Sequence, residues 1–132
     1  MKVMTEEMKS YFGSNLPFIS TVDENGNPNI GPKRSLRILD DNHLIYNENT
    51  GKKTLSNIKA NGKVSVAIAN WGKLDGYRFE GVARVYTEGE FYDNCVNYAM
   101  SAKMAQPKAA VGIEIKKIHT LKSGPTAGDE VI

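Results

Sequence analysis

Short segments with a strand-like pattern, separated by turn signals, constrain the fold of this chain most strongly. Residues 77–86 alternate apolar and polar side chains, with a kink expected at Gly81, and this period of two is typical of a half-buried β-strand. Asn25-Gly26 predicts a hairpin between two further strands, the second of which bends at Pro32. The same criteria predict six strands in all, at 18–22, 29–39, 43–47, 64–68, 77–86 and 109–118. Six strands with hairpin signals indicate a closed antiparallel β-barrel with helices at its rim.

Helical patterns lie beside these strands. Residues 2–12 carry an apolar stripe with helical spacing. A short helix is predicted after Thr50, which is a natural N-cap, and Asn61-Gly62 would end it. Thr87 and Glu90 have the spacing of a capping box and predict the start of a longer helix.

Composition narrows the class of protein. With 132 residues the chain fits a single domain, residues 1–132, and a net charge of +2 is too small to indicate a nucleic-acid partner. Apolar runs are only a few residues long, so no membrane span is predicted. The single cysteine, Cys95, allows no intrachain disulfide, and His43 and His119 lack a ligand pattern around them, so no metal site is predicted. We therefore expect a cytoplasmic protein.

Two basic pairs bracket one predicted hairpin. Lys33-Arg34 lies on one strand, and Lys52-Lys53 lies at the start of the short helix, so both pairs can lie near the same end of the sheet. A helix start has unpaired backbone N–H groups and favours an anion, and Thr54 adds a hydroxyl there. The pattern favours a phosphate site, although charge runs are usually solvated surface and charge alone leaves that alternative open.

Four consecutive motifs resemble those of one flavin-binding family. Their order and spacing are similar to those of the pyridoxamine 5′-phosphate oxidase family and of small split-barrel proteins that bind flavin mononucleotide (FMN). The motifs are Lys33-Arg34-Ser35-Leu36, Leu44-Ile45-Tyr46-Asn47, residues 51–58 and Lys63-Val64-Ser65-Val66. Residues 77–83 also resemble the family's Phe-x-Gly-x-Ala strand. The resemblance covers roughly residues 15 to 118.

The resemblance implies a mainly β fold, a six-stranded antiparallel split β-barrel with flanking helices, which forms a homodimer with FMN at the interface. It also implies a cofactor site on three neighbouring segments. Pro32, Lys33, Arg34 and Ser35 would lie along the ring and the ribityl chain, Asn47, Glu48 and Asn49 would line the edge of the ring, and Thr50, Lys52, Lys53 and Thr54 would form the phosphate corner.

The resemblance further implies redox chemistry, as an oxidoreductase or as an electron carrier with a small-molecule or protein partner. The pyridoxamine phosphate oxidases bind their substrate through a C-terminal tryptophan and arginines. This chain has no tryptophan after Trp71 and no arginine after Arg84, so we do not expect it to oxidise pyridoxamine phosphate. Catalytic residues stay unassigned. The alternatives are a non-catalytic flavin-binding or sensing protein, and a binder of F420 or haem on the same fold.

Overall fold

One antiparallel sheet with helices packed on it makes up the structure, a computed structural model that describes residues 3–132. In chain order its elements are α1 (Glu6–Lys9), β1 (Phe18–Val22), β2 (Pro28–Pro32), β3 (Arg37–Asp40), β4 (His43–Glu48), α2 (Lys53–Asn61), β5 (Lys63–Asn70), β6 (Asp75–Tyr86), α3 (Glu90–Ala102) and β7 (Ala109–Thr120). The strands are hydrogen-bonded in the order β2-β1-β5-β6-β7-β4-β3, and all neighbours are antiparallel. The prediction of a mainly β, antiparallel fold with flanking helices is confirmed.

The return strand predicted at 29–39 is in fact two strands, β2 and β3, which lie at opposite edges of the sheet. Between them, residues 33–36 form a tight turn in which the N–H of Leu36 donates to the carbonyl oxygen of Lys33 at 3.0 Å. Residues 3–132 thus form seven strands rather than six, and the sheet is not closed, so the prediction is wrong on both points. The bend expected at Pro32 lies where the two strands divide, because proline has no amide hydrogen with which to continue a ladder.

Strand β4 is covered on both of its faces. Leu44 and Tyr46 are fully buried in the main apolar core, together with side chains from α1 and from most of the other strands. Ile45 points the opposite way and packs with Cys95 of α3 in a second, smaller cluster. Side chains alternate along a strand, so Glu48 points to the same face as Leu44 and Tyr46. The end of β4 therefore directs a carboxylate towards the main core.

Helix α1 is shorter than the helix predicted at 2–12. It follows a capping box formed by Thr5 and Met8, and Met8 is buried in the main core. Lys2 lies outside the described residues. Within residues 3–132, no helix combines the length and the apolar character that crossing a membrane would need.

The two longer helices begin without the side-chain caps that the sequence predicts. Helix α2 begins after Lys52, no side chain of the described residues caps it, and Thr50 is not its N-cap. Helix α3 begins after Gly89, again without a side-chain cap from residues 3–132, so the capping box predicted at Thr87 is wrong. The predicted end of α2 is confirmed, because Gly62 terminates the helix with a φ of 71°.

Gly81 occupies a position that has no room for a larger side chain. It follows a register shift in the β6–β7 pairing, and an added Cβ would overlap the carbonyl oxygen of Glu114 and lie 2.9 Å from Cγ2 of Ile113. We expect Gly81→Ala to lower the free energy of unfolding by about 1 to 3 kcal/mol, the usual cost of overpacking, in urea unfolding experiments. Gly31→Ala is the control, because no atom of the described residues lies within 4 Å of a Cβ there. Equal losses in the two variants would contradict the packing argument.

Candidate functional site

The carboxylate of Glu48 joins the turn at 33–36 to the loop at 49–52, next to the start of α2. Its Oε2 accepts the backbone N–H groups of Thr50 at 2.9 Å and of Gly51 at 2.8 Å. Its Oε1 lies 3.4 Å from Nζ of Lys33 and 3.4 Å from the hydroxyl of Tyr46. Glu48 is fully buried, so these four donors take the place of water around its charge.

Tyr46 takes part in this network as a hydrogen-bond donor. Burial raises the pKa of its phenol far above the ordinary value, and the nearby negative charge of Glu48 raises it further. The ammonium of Lys33 also lies 5.2 Å from the centre of the Tyr46 ring, within the range of a cation–π contact. The charge of Lys33 is therefore directed inward, towards Glu48 and Tyr46.

A second network fixes the turn at 33–36 to strand β4 and helix α3. The hydroxyl of Ser35 accepts the N–H of Asn47 at 2.9 Å. Arg37 donates to the carbonyl oxygen of Ser35 at 2.8 Å, to Oδ1 of Asn47 at 3.2 Å and to Oδ1 of Asn94 at 2.7 Å. Its guanidinium carbon lies 3.7 Å from the centre of the Tyr98 ring. Four groups thus engage one planar cation, and they hold the turn rigidly in place.

Exposed cations flank this fixed framework. Arg34, at the tip of the turn, and Lys52, just before α2, are exposed, and the side chain of neither forms a hydrogen bond or an ion pair with residues 3–132. The first turn of α2 presents backbone N–H groups, and no side chain of the described chain caps them. Uncapped amides next to unpaired positive charges form a surface that is suited to an anion.

The first residues of α2 are tied to the hairpin between β1 and β2. Nζ of Lys53 lies 3.5 Å from Oδ2 of Asp23, and Oγ1 of Thr54 accepts a hydrogen bond from Asn29 at 3.0 Å. The pKa of Asp23 is lowered to about 2, chiefly by the backbone and side-chain N–H groups of Asn27 and more weakly by the charge of Lys53. Lys53 therefore shares its charge with a carboxylate, whereas Arg34 does not.

Lys108, at the start of β7, belongs to the same cluster, although sequence reasoning did not single it out. Its backbone N–H donates to the carbonyl oxygen of Glu48 at 2.9 Å, and its ammonium lies 3.5 Å from the carbonyl oxygen of Thr50. Its side chain passes over Gly51, 3.3 Å from the position of an added Cβ. The antiparallel pairing of β4 with β7 causes this proximity, and it could not be read from a residue so far along the chain.

Four cations of the basic cluster are exposed, namely Arg34, Lys52, Lys53 and Lys108. A cavity of about 250 Å³ lies elsewhere, lined among others by His43, Arg84, Phe91 and Glu114. His43 and Glu114 pair at the beginning of β4, the opposite end of that strand from Glu48. We regard the cluster as the better candidate site because its unpaired cations lie next to uncapped helix N–H groups, whereas the arginine and the histidine that line the cavity share it with a carboxylate.

The residues predicted for the cofactor site all lie on these segments, but they divide into two groups. Ser35, Asn47 and Glu48 are buried and bonded within the protein. The exposed or half-buried group consists of Pro32, Lys33, Arg34, Asn49, Thr50, Lys52, Lys53 and Thr54. The expected strand at 33–35 is a turn. Cofactor binding by these residues stays a prediction.

A family model described as pyridoxamine 5′-phosphate oxidase matches residues 4–122. The chain belongs to this family. Over 129 residues it is 36% identical to an uncharacterised protein of Methanocaldococcus jannaschii. This alignment covers 95% of this chain and 85% of that protein. HupZ from Group A Streptococcus is 45% identical in sequence to this chain. Its crystal structure superposes with a TM-score of 0.88 over 95% of this chain and 99% of that one. A candidate pyridoxamine 5′-phosphate oxidase from Lactobacillus delbrueckii is 32% identical, with a TM-score of 0.77 over 89% and 94% of the two chains.

More distant solved structures have the same fold. An FMN-binding protein from Syntrophomonas wolfei is 23% identical, with a TM-score of 0.76 over 91% of this chain and 87% of that one. An F420 reductase is 13% identical, with a TM-score of 0.67 over 87% and 98% of the two chains. At these identities the likeness shows the fold alone, which is the split barrel of the family.

Arg37 and Arg34 allow a test of which arginine serves the fold. We expect Arg37→Lys to lower the free energy of unfolding by about 1 to 3 kcal/mol, because lysine cannot supply the forked hydrogen bonds or stack on Tyr98 in the same way. Arg34→Lys, a matched control three positions away, should change it by less than about 0.5 kcal/mol, as is usual for an exposed side chain. Urea unfolding of both variants measures this difference. A large loss in Arg34→Lys would show that the turn depends on that side chain as well.

Proposed function

We propose that this protein binds FMN non-covalently, with the phosphate held at the basic cluster by the start of α2. The observation that carries the proposal is the pair of unpartnered cations, Arg34 and Lys52, next to helix N–H groups that no side chain of residues 3–132 caps. In the absence of an anion, the charge of Lys52 opposes the dipole of the helix that it precedes. A phosphate group would remove this conflict, and family membership supports a flavin nucleotide as its carrier.

The residues present fit the phosphate of such a cofactor. Arg34 can bind two phosphate oxygens with its fork, whereas Lys52 and Lys53 supply point charges. Thr54 can donate its hydroxyl hydrogen while it still accepts from Asn29. Glu48 already occupies the amides of the preceding loop, so the amides of α2 itself are the ones left for the ligand. When bound, FMN would supply electron or hydride transfer, and the chain would supply placement.

We extend the proposal to a homodimer with FMN at its interface, as the family resemblance implies. A chain of 132 residues buries a modest core, and dimerisation would cover further apolar surface. Sedimentation of the purified protein with and without FMN measures its mass in solution. A monomer in the FMN-saturated state would contradict this part of the proposal.

The activity we propose is that of an oxidoreductase or an electron carrier whose redox group is the flavin. Oxidation of pyridoxamine phosphate is not part of the proposal. Mixing the reduced protein with oxygen, and the oxidised protein with NADH, separates the two roles. Sustained turnover indicates an enzyme, whereas a single stoichiometric oxidation indicates a carrier or a sensor.

Removal of the phosphate contacts gives the sharpest test of the binding proposal. We expect Lys53→Ala combined with Thr54→Ala to weaken FMN binding by at least about tenfold, since one charge-assisted hydrogen bond contributes about 1.5 to 3 kcal/mol. Lys59→Ala is the matched control, because it removes the same charge from the last turn of the same helix. Quenching of flavin fluorescence measures both affinities.

Titrations with F420 and with haem complete that experiment. Wild-type protein that ignores FMN would contradict the proposal, and selective binding of F420 or haem would assign the site to that group instead. Equal affinities of the double variant and of Lys59→Ala would show that Lys53 and Thr54 do not contact the phosphate.

A further inference from the structure

The proposed contacts with the ligand do not include the buried carboxylate of Glu48. It is fully buried, yet it lies between two segments that we assign to the cofactor. Its acceptor atoms are saturated by the N–H groups of Thr50 and Gly51, by the ammonium of Lys33 and by the hydroxyl of Tyr46. A charge in this position is unfavourable unless all of these donors are in place, so the carboxylate and its donors order one another.

The donors of Glu48 belong to separate pieces of the site. Lys33 begins the turn that carries Arg34, and Thr50 and Gly51 form the loop that leads into Lys52. Gly51 has a left-handed φ of 69°, so the loop makes a sharp change of direction at the point where the carboxylate accepts its N–H. The buried side chain of Glu48 thus sets the positions of both exposed cations, Arg34 and Lys52.

We propose that Glu48 is a positioning residue of the cofactor site, an internal anion that holds the loop at 49–52 and the turn at 33–36 in the arrangement that receives the phosphate. This inference rests on the proposed function. It gives Lys33 a supporting role: its ammonium neutralises Glu48 and is not itself aimed at the ligand.

A built-in anion also directs where the ligand's phosphate can lie. The amides of Thr50 and Gly51 are already bonded, and a second anion next to Glu48 would be repelled. The phosphate is therefore directed outward, to the amides of α2 and to Arg34 and Lys52. A loop that Glu48 already holds does not have to be ordered by binding, and the affinity is higher for that reason.

Glu48→Gln tests this role, since it keeps the size of the side chain and removes its charge. We expect it to weaken FMN binding by at least about tenfold through the loss of preorganisation. In the FMN-free protein we expect hydrogen exchange at the amides of Thr50 and Gly51 to become faster by at least about tenfold, because local opening is then easier. Glu114→Gln is the control. This variant also removes one carboxylate. That carboxylate, however, is exposed, pairs with Lys116 and lies at the other end of the β4–β7 pair.

Two further variants keep the test decisive. Glu48→Asp retains the charge on a shorter side chain, so it should recover part of the affinity and of the exchange protection that Glu48→Gln loses. If Glu48→Gln does not fold, Lys33→Met combined with Glu48→Gln removes both charges and leaves no unpaired ion in the interior. That double variant should fold, with fast exchange at both loop amides and weakened FMN binding.

The outcomes separate this inference from the proposed function. Weaker binding together with faster loop exchange, in the glutamine variant or in the double variant, supports the inference. Wild-type protein that binds FMN while these variants bind it equally well would overturn the inference and leave the function intact. Weaker binding with unchanged exchange would also overturn it, because Glu48 would then act without ordering the loop. Failure of the wild-type protein to bind FMN would overturn both.

Discussion

A carboxylate inside a protein is unfavourable unless hydrogen bonds and an opposite charge replace the water that it has lost. Glu48 satisfies this condition with two loop amides, a tyrosine hydroxyl and the ammonium of Lys33. The requirement is strict, because loss of any of these donors leaves part of a buried charge unpaired. The turn after β2, the loop after β4 and the end of β4 itself are thereby held in one arrangement. The arrangement of the exposed basic cluster follows from this buried interaction.

Much of the fold could be predicted because its determinants are local. The alternation along residues 77–86 and the Asn25-Gly26 turn predict β6 and the β1–β2 hairpin, and both are observed. The division of the return strand at 33–36 was missed because a tight turn of this kind accepts most residues at its centre and needs no glycine or asparagine. Only Pro32 gave a local sign of it. Whether the sheet closes depends on which strands lie at its edges, and no local pattern reports that.

The site was predicted less completely, because its supports come from distant parts of the chain. The basic pairs and the helix start are visible in the sequence, and the structure places them together. Glu48 lies within a polar run, which gives no sign that its side chain points into the core. It points there because it lies two residues after Tyr46 along β4, and therefore on the same face of the strand. Arg37 reaches Asn94 of α3, and Lys108 reaches Thr50 through the β4–β7 pairing. The sequence predicts Thr50 as a helix cap, but its N–H is bonded to Glu48 and the helix begins later.

The buried groups beneath the site are suited to holding a shape and not to exchanging protons at neutral pH. Burial raises the pKa of the Tyr46 phenol, and burial likewise raises that of the Cys95 thiol in spite of the nearby Arg37. Both groups therefore keep their protons, and each donates a hydrogen bond, from Tyr46 to Glu48 and from Cys95 to the backbone of Tyr46. An acid–base reaction would need a group that gains and loses a proton near pH 7. Tyr46 and Cys95 instead form a rigid support, which suits the proposal that a bound redox cofactor performs the chemistry and the chain fixes its position.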